Sequence, residues 1–551
     1  MNRSDYVLKM NDLLSNSSKF VSITDDCYKL CQRLENRLNS TLLSLFKAGK
    51  LDKATYDSLH SSGSYPGKLY GLPKTHKTGV PLRPILSAVT CHNYNLAKFL
   101  VPILSPLATS QYTVSDVFSF SDELRLRSDS TRTHMVSLDI ESLFTNVPVA
   151  ETIDIIISSL FTSDNMLVHG FSKTEFTNLL KLAVEDSYFS FDHKLFKQID
   201  GMAMGSPLGP IFANIFLSYH ETSWLRSCPV TPFLYKRYVD DTLWLLPADS
   251  SIDTLMTYMN SRHPNMKFTY ETETNNCIPF IGLTISHSDN NNSHSYSTTV
   301  YRKPTFTGLF TNFNSFTCIS YRLSVLRCLV FRALRLCSTA DFFLAELNAI
   351  KAFLMRNAYP AKIIDSVIRT TLAKLANPSV KFGPTKERLF VGLPFWGKSS
   401  DSLRRSLKTI VRKFLPHRDL IVYFKPGRRV ANFFHNKDFT PTGLRSRVVY
   451  EFTCASCHAS YVGQTTRHLK HRVAEHLGVS HLTGRPMRSP PHSSIRDHCC
   501  QCQGADCSIK DFKILASASS SLELLIKERL LIERRHPSLN GNSGALELLL
   551  F

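Results

Sequence analysis

The stretch FLYKRYVDDTLWLL, residues 233–246, decides the fold class. Two apolar and aromatic runs flank Asp240 and Asp241, with Arg237 just upstream, which is the pattern of a β-hairpin carrying two carboxylates at its turn. Like charges this close repel each other, and the arrangement persists most readily when a divalent cation neutralises them. About a hundred residues earlier, MVSLD (residues 135–139) is a short β-rich run ending in Asp139, followed after Pro148 by a helical stretch from Glu151 to Phe161. Adjacent strands of one sheet would bring Asp139, Asp240 and Asp241 together as the ligands of a two-metal phosphoryl-transfer site. One such aspartate alone is ordinarily a turn residue; three in this pattern point to chemistry.

The surrounding chain fits a nucleic-acid partner. Its 551 residues allow about three or four domains, and a hydrophobic content of 43% with 36 Phe and 20 Tyr excludes disorder as a whole-chain answer. The formal charge of +20 favours a polyanionic partner. Half of that surplus lies between Ser402 and Arg447, where twelve Lys or Arg, among them Arg404, Arg405, Arg428 and Arg429, stand against Asp419 and Asp438. Interleaved Phe414, Tyr423, Phe424, Phe433 and Phe434 suit a surface that tracks a phosphate backbone. The Asn- and Ser-rich patch Ser286 to Ser297 reads as a hairpin tip.

No apolar run is long enough to span a membrane, and Met1 to Met10 has the charges Arg3, Asp5 and Lys9 with no apolar stretch behind them. Neither a spanning helix nor a signal peptide is expected. The 14 cysteines are therefore expected in a reducing compartment, where clustered thiols read as a metal site before disulfides. Six of them, Cys454, Cys457, Cys499, Cys500, Cys502 and Cys507, fall near the C-terminus and mark a separate module.

Taken together, the motifs resemble the reverse transcriptases of Penelope-like retroelements over about residues 65 to 315. YGLPKTHK (70–77) and PLRPILSA (81–88) are similar to the family's fingers motifs, SLDIESLFTNVP (137–148) to motif A, GMAMGSPLGPIFANIFL (201–217) to motif B and RYVDD (237–241) to motif C. FTYETE (268–273), IPFIGLTI (278–285) and VYRKPTFTGLF (300–310) resemble motifs D, E and a signature after the palm. The resemblance implies that Asp139 and Asp240 ligate two Mg²⁺ ions with Asp241 beside them, and that Phe144 is a steric gate against a ribose 2′-hydroxyl. It further implies that Arg83, in a loop held by Pro81 and Pro84, pairs with the incoming triphosphate, and that Gly205 and Ser206 let the backbone approach nucleotide and template. Family members normally carry a longer region before the fingers, so either the start is internal or the copy is truncated, and part of the fingers is expected to be missing. Tyr321 to Cys337, with four arginines on an apolar background, is expected to be a thumb helix.

The C-terminal module has VVY (448–450), YVG (461–463), Arg472 and His476 four apart in an expected helix, Glu528 on another helix, and Asn540. This resembles a GIY-YIG endonuclease, with Val448 and Val449 in place of the name motif's Gly and Ile. The resemblance implies one-metal hydrolysis of DNA: Glu528 holding Mg²⁺, Tyr450 assisted by Tyr461 deprotonating water, Arg472 stabilising charge on phosphorus, and His476 as alternative base or orienting group. Penelope-type nucleases place a zinc knuckle where Cys454 and Cys457 stand. His498 with Cys507 supplies the expected second pair of Zn²⁺ ligands, while Cys499, Cys500 and Cys502 compete.

The expected architecture is α+β, a right-hand polymerase followed by a small α/β nuclease. The expected parts are an N-terminal and fingers region (1–130), palm (131–310), helical thumb (311–400), basic connector (401–445) and nuclease with zinc knuckle (446–545). The expected activity is nicking target DNA and copying element RNA from the exposed 3′ end. The expected partners are template RNA, target DNA and deoxynucleoside triphosphates, in the nucleus and without a membrane. The rivals are a decayed or domesticated copy that only binds nucleic acid, and a nuclease with a silent polymerase domain.

Overall fold

The structure, a computed structural model, describes residues 1–75, 77–163, 166–290, 293–376, 386–425, 440–502 and 507–541. The chain divides into two compact units, one of Ser110–Glu141 and Glu221–Asn436, the other of Met1–Thr109, Ser142–His220 and Lys437–Phe551. Both mix helices with largely antiparallel sheets.

In the first unit, β1 (Thr133–Ile140), β2 (Leu234–Tyr238), β3 (Asp241–Pro247) and β4 (Phe268–Thr272) form an antiparallel sheet in the order β4-β1-β3-β2. The centre of β3, Thr242 to Leu246, is buried without alternation, as a strand covered on both faces must be. Met135, Leu243 and Leu245 pack with Phe120, Leu124, Ile278, Phe280, Leu283 and Ile285, which ties the sheet to a second one built on the Leu283–Asn290 and Ser293–Val300 strands. The Asn- and Ser-rich patch thus lies at the end of a real hairpin, its residues 291–292 outside the described ones.

Three helices follow, α1 (Ile319–Leu336), α2 (Ala340–Arg356) and α3 (Ala361–Ala376), around a core of Leu326, Val330, Ala333, Ile350, Leu354 and Ile364. The boundary expected at residue 400 falls inside a folded element. β5 (Glu387–Pro394), α4 (Lys398–Phe414) and β6 (Arg418–Lys425) make a β-α-β unit with the two strands parallel. A run dominated by cations hid the apolar alternation of β6, so the stretch reads from sequence as a connector.

The second unit contains a five-stranded sheet in the order Phe20–Ile23, Lys194–Gln198, Tyr188–Phe191, Gly67–Pro73, Leu82–Ser87. Arg83 therefore lies on a strand and not in a loop. Pro84 is compatible with that strand because it is the sheet's edge, where a missing N–H leaves no ladder bond unmade. The same unit holds the C-terminal sheet β7 (Val448–Thr453), β8 (Ser460–Thr465) and β9 (Phe512–Ser517), ordered β8-β7-β9, with α5 (Leu469–His476), α6 (Ser494–Gln501) and α7 (Ser521–Arg535). The expected separate module is packed against the N-terminal segment. Buried His468 meets the Gln32 side chain at 3.1 Å and the Ser64 carbonyl at 2.7 Å. Among the described residues no helix is long and apolar enough to cross a membrane.

Candidate active sites

Asp139 and Asp241 are register partners on β1 and β3, and the Asp240 carbonyl between β2 and β3 accepts the Ile140 N–H at 3.1 Å. The sheet thus brings the three acids of the hairpin reading together. The turn is Val239-Asp240, and Val239 has φ +58°, a left-handed conformation that a β-branched residue adopts only when its surroundings impose it. Those surroundings are a buried polar network. The Arg237 guanidinium, 0% exposed, donates to both carboxylate oxygens of buried Glu221 and at 3.3 Å to the Val239 carbonyl, while the Tyr235 hydroxyl donates to Glu221 at 2.7 Å. On the adjoining strand Trp244 Nε1 donates to Thr242 Oγ1, which donates to the Leu138 carbonyl. Partial burial, then the charges of Asp240 and Asp139, push the Asp241 carboxyl up to about 6, with Lys303 opposing. Three hard oxygen donors under mutual repulsion suit Mg²⁺.

The other polymerase-motif residues belong to the second unit. Phe144 is half-buried, its carbonyl accepts the Met202 N–H at 2.7 Å, and its ring stands against Gly209. Gly205, at φ +129°, is required: a Cβ there would fall 1.9 Å from the Leu86 carbonyl oxygen. The close approach it permits is to the Leu82–Ser87 strand, whose Leu86 N–H donates to the Met204 carbonyl at 2.8 Å. Ser206 bonds through its N–H to the Ala203 carbonyl, and Arg83 is exposed on that same strand.

In the C-terminal sheet, fully buried Tyr450 is at the centre. Its hydroxyl lies 2.7 Å from His476 Nε2 and receives Arg472 Nε at 3.3 Å; His476 Nδ1 lies 2.7 Å from Ser493 Oγ. Burial and then Arg472 hold His476 down to about 3, so its ring is neutral, one nitrogen donating and the other accepting. Burial raises the Tyr450 hydroxyl well above the usual tyrosine range, against the pull of Arg472. Tyr461 packs its ring 5.6 Å from His476, and both tyrosines crowd Gly463, where a Cβ would come within 2.8 Å of each. Half-buried Glu528 is raised by burial and held by the Gln464 backbone and side chain, with Arg472 opposing the rise. A cavity of about 330 Å³ beside them is lined by Gln464, Thr465, Arg467, Arg472 and Ser521. Asn540 clasps Val462 through both its amide groups.

Cys454, Cys457, His498 and Cys502 place their ligand atoms within 4.8 Å of one another. The Cys457 sulfur is 3.4 Å from His498 Nε2 and the Cys454 sulfur 4.0 Å from that of Cys502. A tetrahedron with metal–sulfur bonds of 2.3 Å has edges of about 3.8 Å, so the donor set fits Zn²⁺. Bonding from the Cys457 backbone, then His498, lowers the Cys454 thiol to about 6, toward the thiolate that such an ion takes. The expected fourth ligand is corrected: Cys507 is joined to Cys499 in a disulfide, and Cys502, at the C-cap of α6, takes its place. His498 and Cys502 are four apart, one helical turn ending at the C-cap of α6, and so share a face, whereas Cys499 is turned about 100° from His498. The expectation of thiols without disulfides is corrected by the same bond.

Of the basic residues, Arg404 is paired with Asp401 at 2.8 Å and stacked over Phe424, and exposed Arg405 donates to the Asp401 carbonyl. Arg428 and Arg429 lie outside the described residues, as do Phe433 and Phe434. The sequence reading missed Glu221, Ser493 and Gln464. Ser493 carried a signal, being a helix N-cap residue before the SIRDH run.

Residues 75–273 match the model of the family described as reverse transcriptase (RNA-dependent DNA polymerase). The chain contains a reverse transcriptase domain. Residues 309–369, covering α1 and α2 and entering α3, match the animal helix-turn-helix domain model, within the region expected as a helical thumb. Among solved structures, the truncated apo telomerase of Candida tropicalis aligns at 15% identity and TM-score 0.35, over 51% of this chain and 57% of that one. The apo telomerase of the same organism gives 15% and 0.37, over 68% and 63%. The Sicinivirus 3Dpol RNA-dependent RNA polymerase gives 12% and 0.39, over 62% and 71%. The chain thus spans about 57% and 63% of the lengths of the two telomerase chains. No curated protein matches the chain.

Proposed function

We propose that the chain is an RNA-directed DNA polymerase and DNA endonuclease of Penelope-like retroelement type, which nicks target DNA in the nucleus and copies element RNA from the exposed 3′ end. The observation that supports the polymerase reading most is Asp139 in register with Asp241, with Asp240 on a turn held by Arg237. Asp139 and Asp240 hold two Mg²⁺, which when bound supply the charge that acidifies the primer 3′-hydroxyl and neutralises the leaving pyrophosphate. Phe144 excludes a 2′-hydroxyl, Arg83 meets the triphosphate, and Arg404 and Arg405 with Arg428 and Arg429 bind nucleic-acid phosphates. α1 to α3 form the thumb, and the helix-turn-helix match favours a duplex DNA contact there.

In the nuclease, Glu528 binds one Mg²⁺ and Arg472 stabilises the phosphorane charge. Tyr450, its hydroxyl held by neutral His476 Nε2, which Ser493 orients, helps deprotonate the attacking water with Tyr461, whose ring packs on His476, and the proton leaves to solvent. Cys454, Cys457, His498 and Cys502 bind a structural Zn²⁺. Primer extension by purified protein on a primed RNA template with Mg²⁺ and deoxynucleotides tests the reading. Template-dependent, RNase-sensitive extension is expected, and its absence overturns the polymerase assignment.

A further inference from the structure

The β-α-β unit of residues 386–425 carries ten Lys or Arg against three acids, a net charge of +7. One face of its parallel sheet is closed. Leu420 and Phe424 are buried, and Phe424 meets Phe395 and the Arg404 guanidinium. The register places the opposite side chains together: Arg388 beside Asp419, Phe390 beside Ile421, and Gly392 beside Tyr423, with Lys425 following. Phe390 is 66% exposed and Tyr423 43% exposed, in strands where aromatic rings are ordinarily covered.

Gly392 shows how this face is built. A Cβ at that position would fall 2.7 Å from Cζ and Oη of Tyr423 and from Cε of Lys425. The tyrosine ring and the lysine stem therefore lie across the neighbouring strand against Gly392, where any side chain would displace them. The result is an open aromatic plane with a second ring near it and a cation at either end, in the most basic folded part of the chain. Flat rings stack on bases because every base has a π-face, and flanking cations meet the phosphates between them.

We propose that this sheet face binds single-stranded RNA, with Phe390 and Tyr423 stacking on bases and Lys425 and Arg388 contacting the phosphates. The choice of RNA over DNA rests on the polymerase reading above. An apolar protein partner would have no use for the cations at both ends of the platform.

The test uses the full chain and a thiouridine-substituted oligouridylate, cross-linked by ultraviolet light and mapped by mass spectrometry. Cross-links are expected on peptides containing Phe390 or Tyr423. Phe390→Ala and Tyr423→Ala are each expected to weaken binding, read by fluorescence anisotropy, by about fivefold or more, and Tyr423→Phe to keep it. Both positions are exposed, so the fold tolerates the changes. Cross-links confined to other peptides with affinities unchanged, or tighter binding of oligothymidylate or of duplex RNA, overturn the proposal. Extension assays on the same strand separate the two readings. A chain that extends a primer but is not cross-linked here refutes the platform alone; one that is cross-linked here but never extends refutes the polymerase alone.

Discussion

Arg237 has no contact with solvent, and its charge is tolerated because Glu221 accepts two of its N–H groups. Removing one partner of a buried pair strands the other, which costs about 3–5 kcal/mol, whereas replacing both with apolar residues is near neutral. Arg237→Met alone is expected to lower stability by about that amount in a denaturant melt. Arg237→Met with Glu221→Met is expected to recover most of it yet remain slow in primer extension, because the Val239 carbonyl has still lost its donor and the left-handed turn its support. A double variant with wild-type kcat would reduce Arg237 to a purely structural residue.

The Asp241 carboxyl sets a pH dependence. Its pKa of about 6 lies above the ordinary 3.8, so between those values the native protein holds a proton that the unfolded chain releases, and folding loses stability as pH rises through this window. A bound cation reverses the preference, because it requires the ionised form. The apparent Mg²⁺ requirement for extension is expected to be flat above about pH 6 and to climb below it, by up to about tenfold per pH unit for one displaced proton. Titrating Mg²⁺ at several pH values reads this directly, and a requirement independent of pH from 5 to 7 would remove Asp241 from the metal site.

At the scale of elements, β1, the β2–β3 hairpin, α1 and the helices holding Arg472 and Glu528 were legible because each has a strong local period or a turn with its own chemistry. The β-α-β unit was not, since β5 and β6 pair across 31 residues and no local pattern records a parallel partner. Arg83 misled because prolines on both sides argue for a loop, and only the edge position of its strand makes them compatible with a sheet. Three of the four clustered donors were legible: CxxC supplies two by spacing and His498 was named, whereas the fourth is Cys502, one turn on at the C-cap of α6. Cys502→Ser is accordingly expected to lose one equivalent of zinc and melt earlier, since the ion's binding free energy is also folding free energy. Cys507→Ser, which breaks only the disulfide to Cys499, is expected to keep its zinc. Metal analysis of the two purified variants checks this, and zinc loss in Cys507→Ser with retention in Cys502→Ser would restore the sequence-based ligand set.

At the scale of the whole molecule, the two carboxylate sites fall in different compact units: Asp139, Asp240 and Asp241 in one, Tyr450, Arg472 and Glu528 in the other. The C-terminal sheet is nonetheless no free-standing appendage, because His468 is buried against Gln32 and Ser64, and Lys470 sits 4.8 Å from the Tyr28 ring. Excising it would expose that surface, so the two proposed activities are best separated by point substitution in the full chain. Asp240→Ala removes a carboxylate from a half-buried turn and is expected to abolish nucleotide incorporation, by at least about a thousandfold given how much of phosphoryl transfer is charge neutralisation, while DNA nicking continues. Glu528→Gln keeps the shape of its side chain and its Gln464 contact but not its charge, and is expected to abolish nicking while extension of a supplied primer continues. Each variant is its partner's control for folding. If either substitution silenced both reactions in a protein that still melts cooperatively at the wild-type temperature, the two chemistries would share one site, and the division of labour between the units would be wrong.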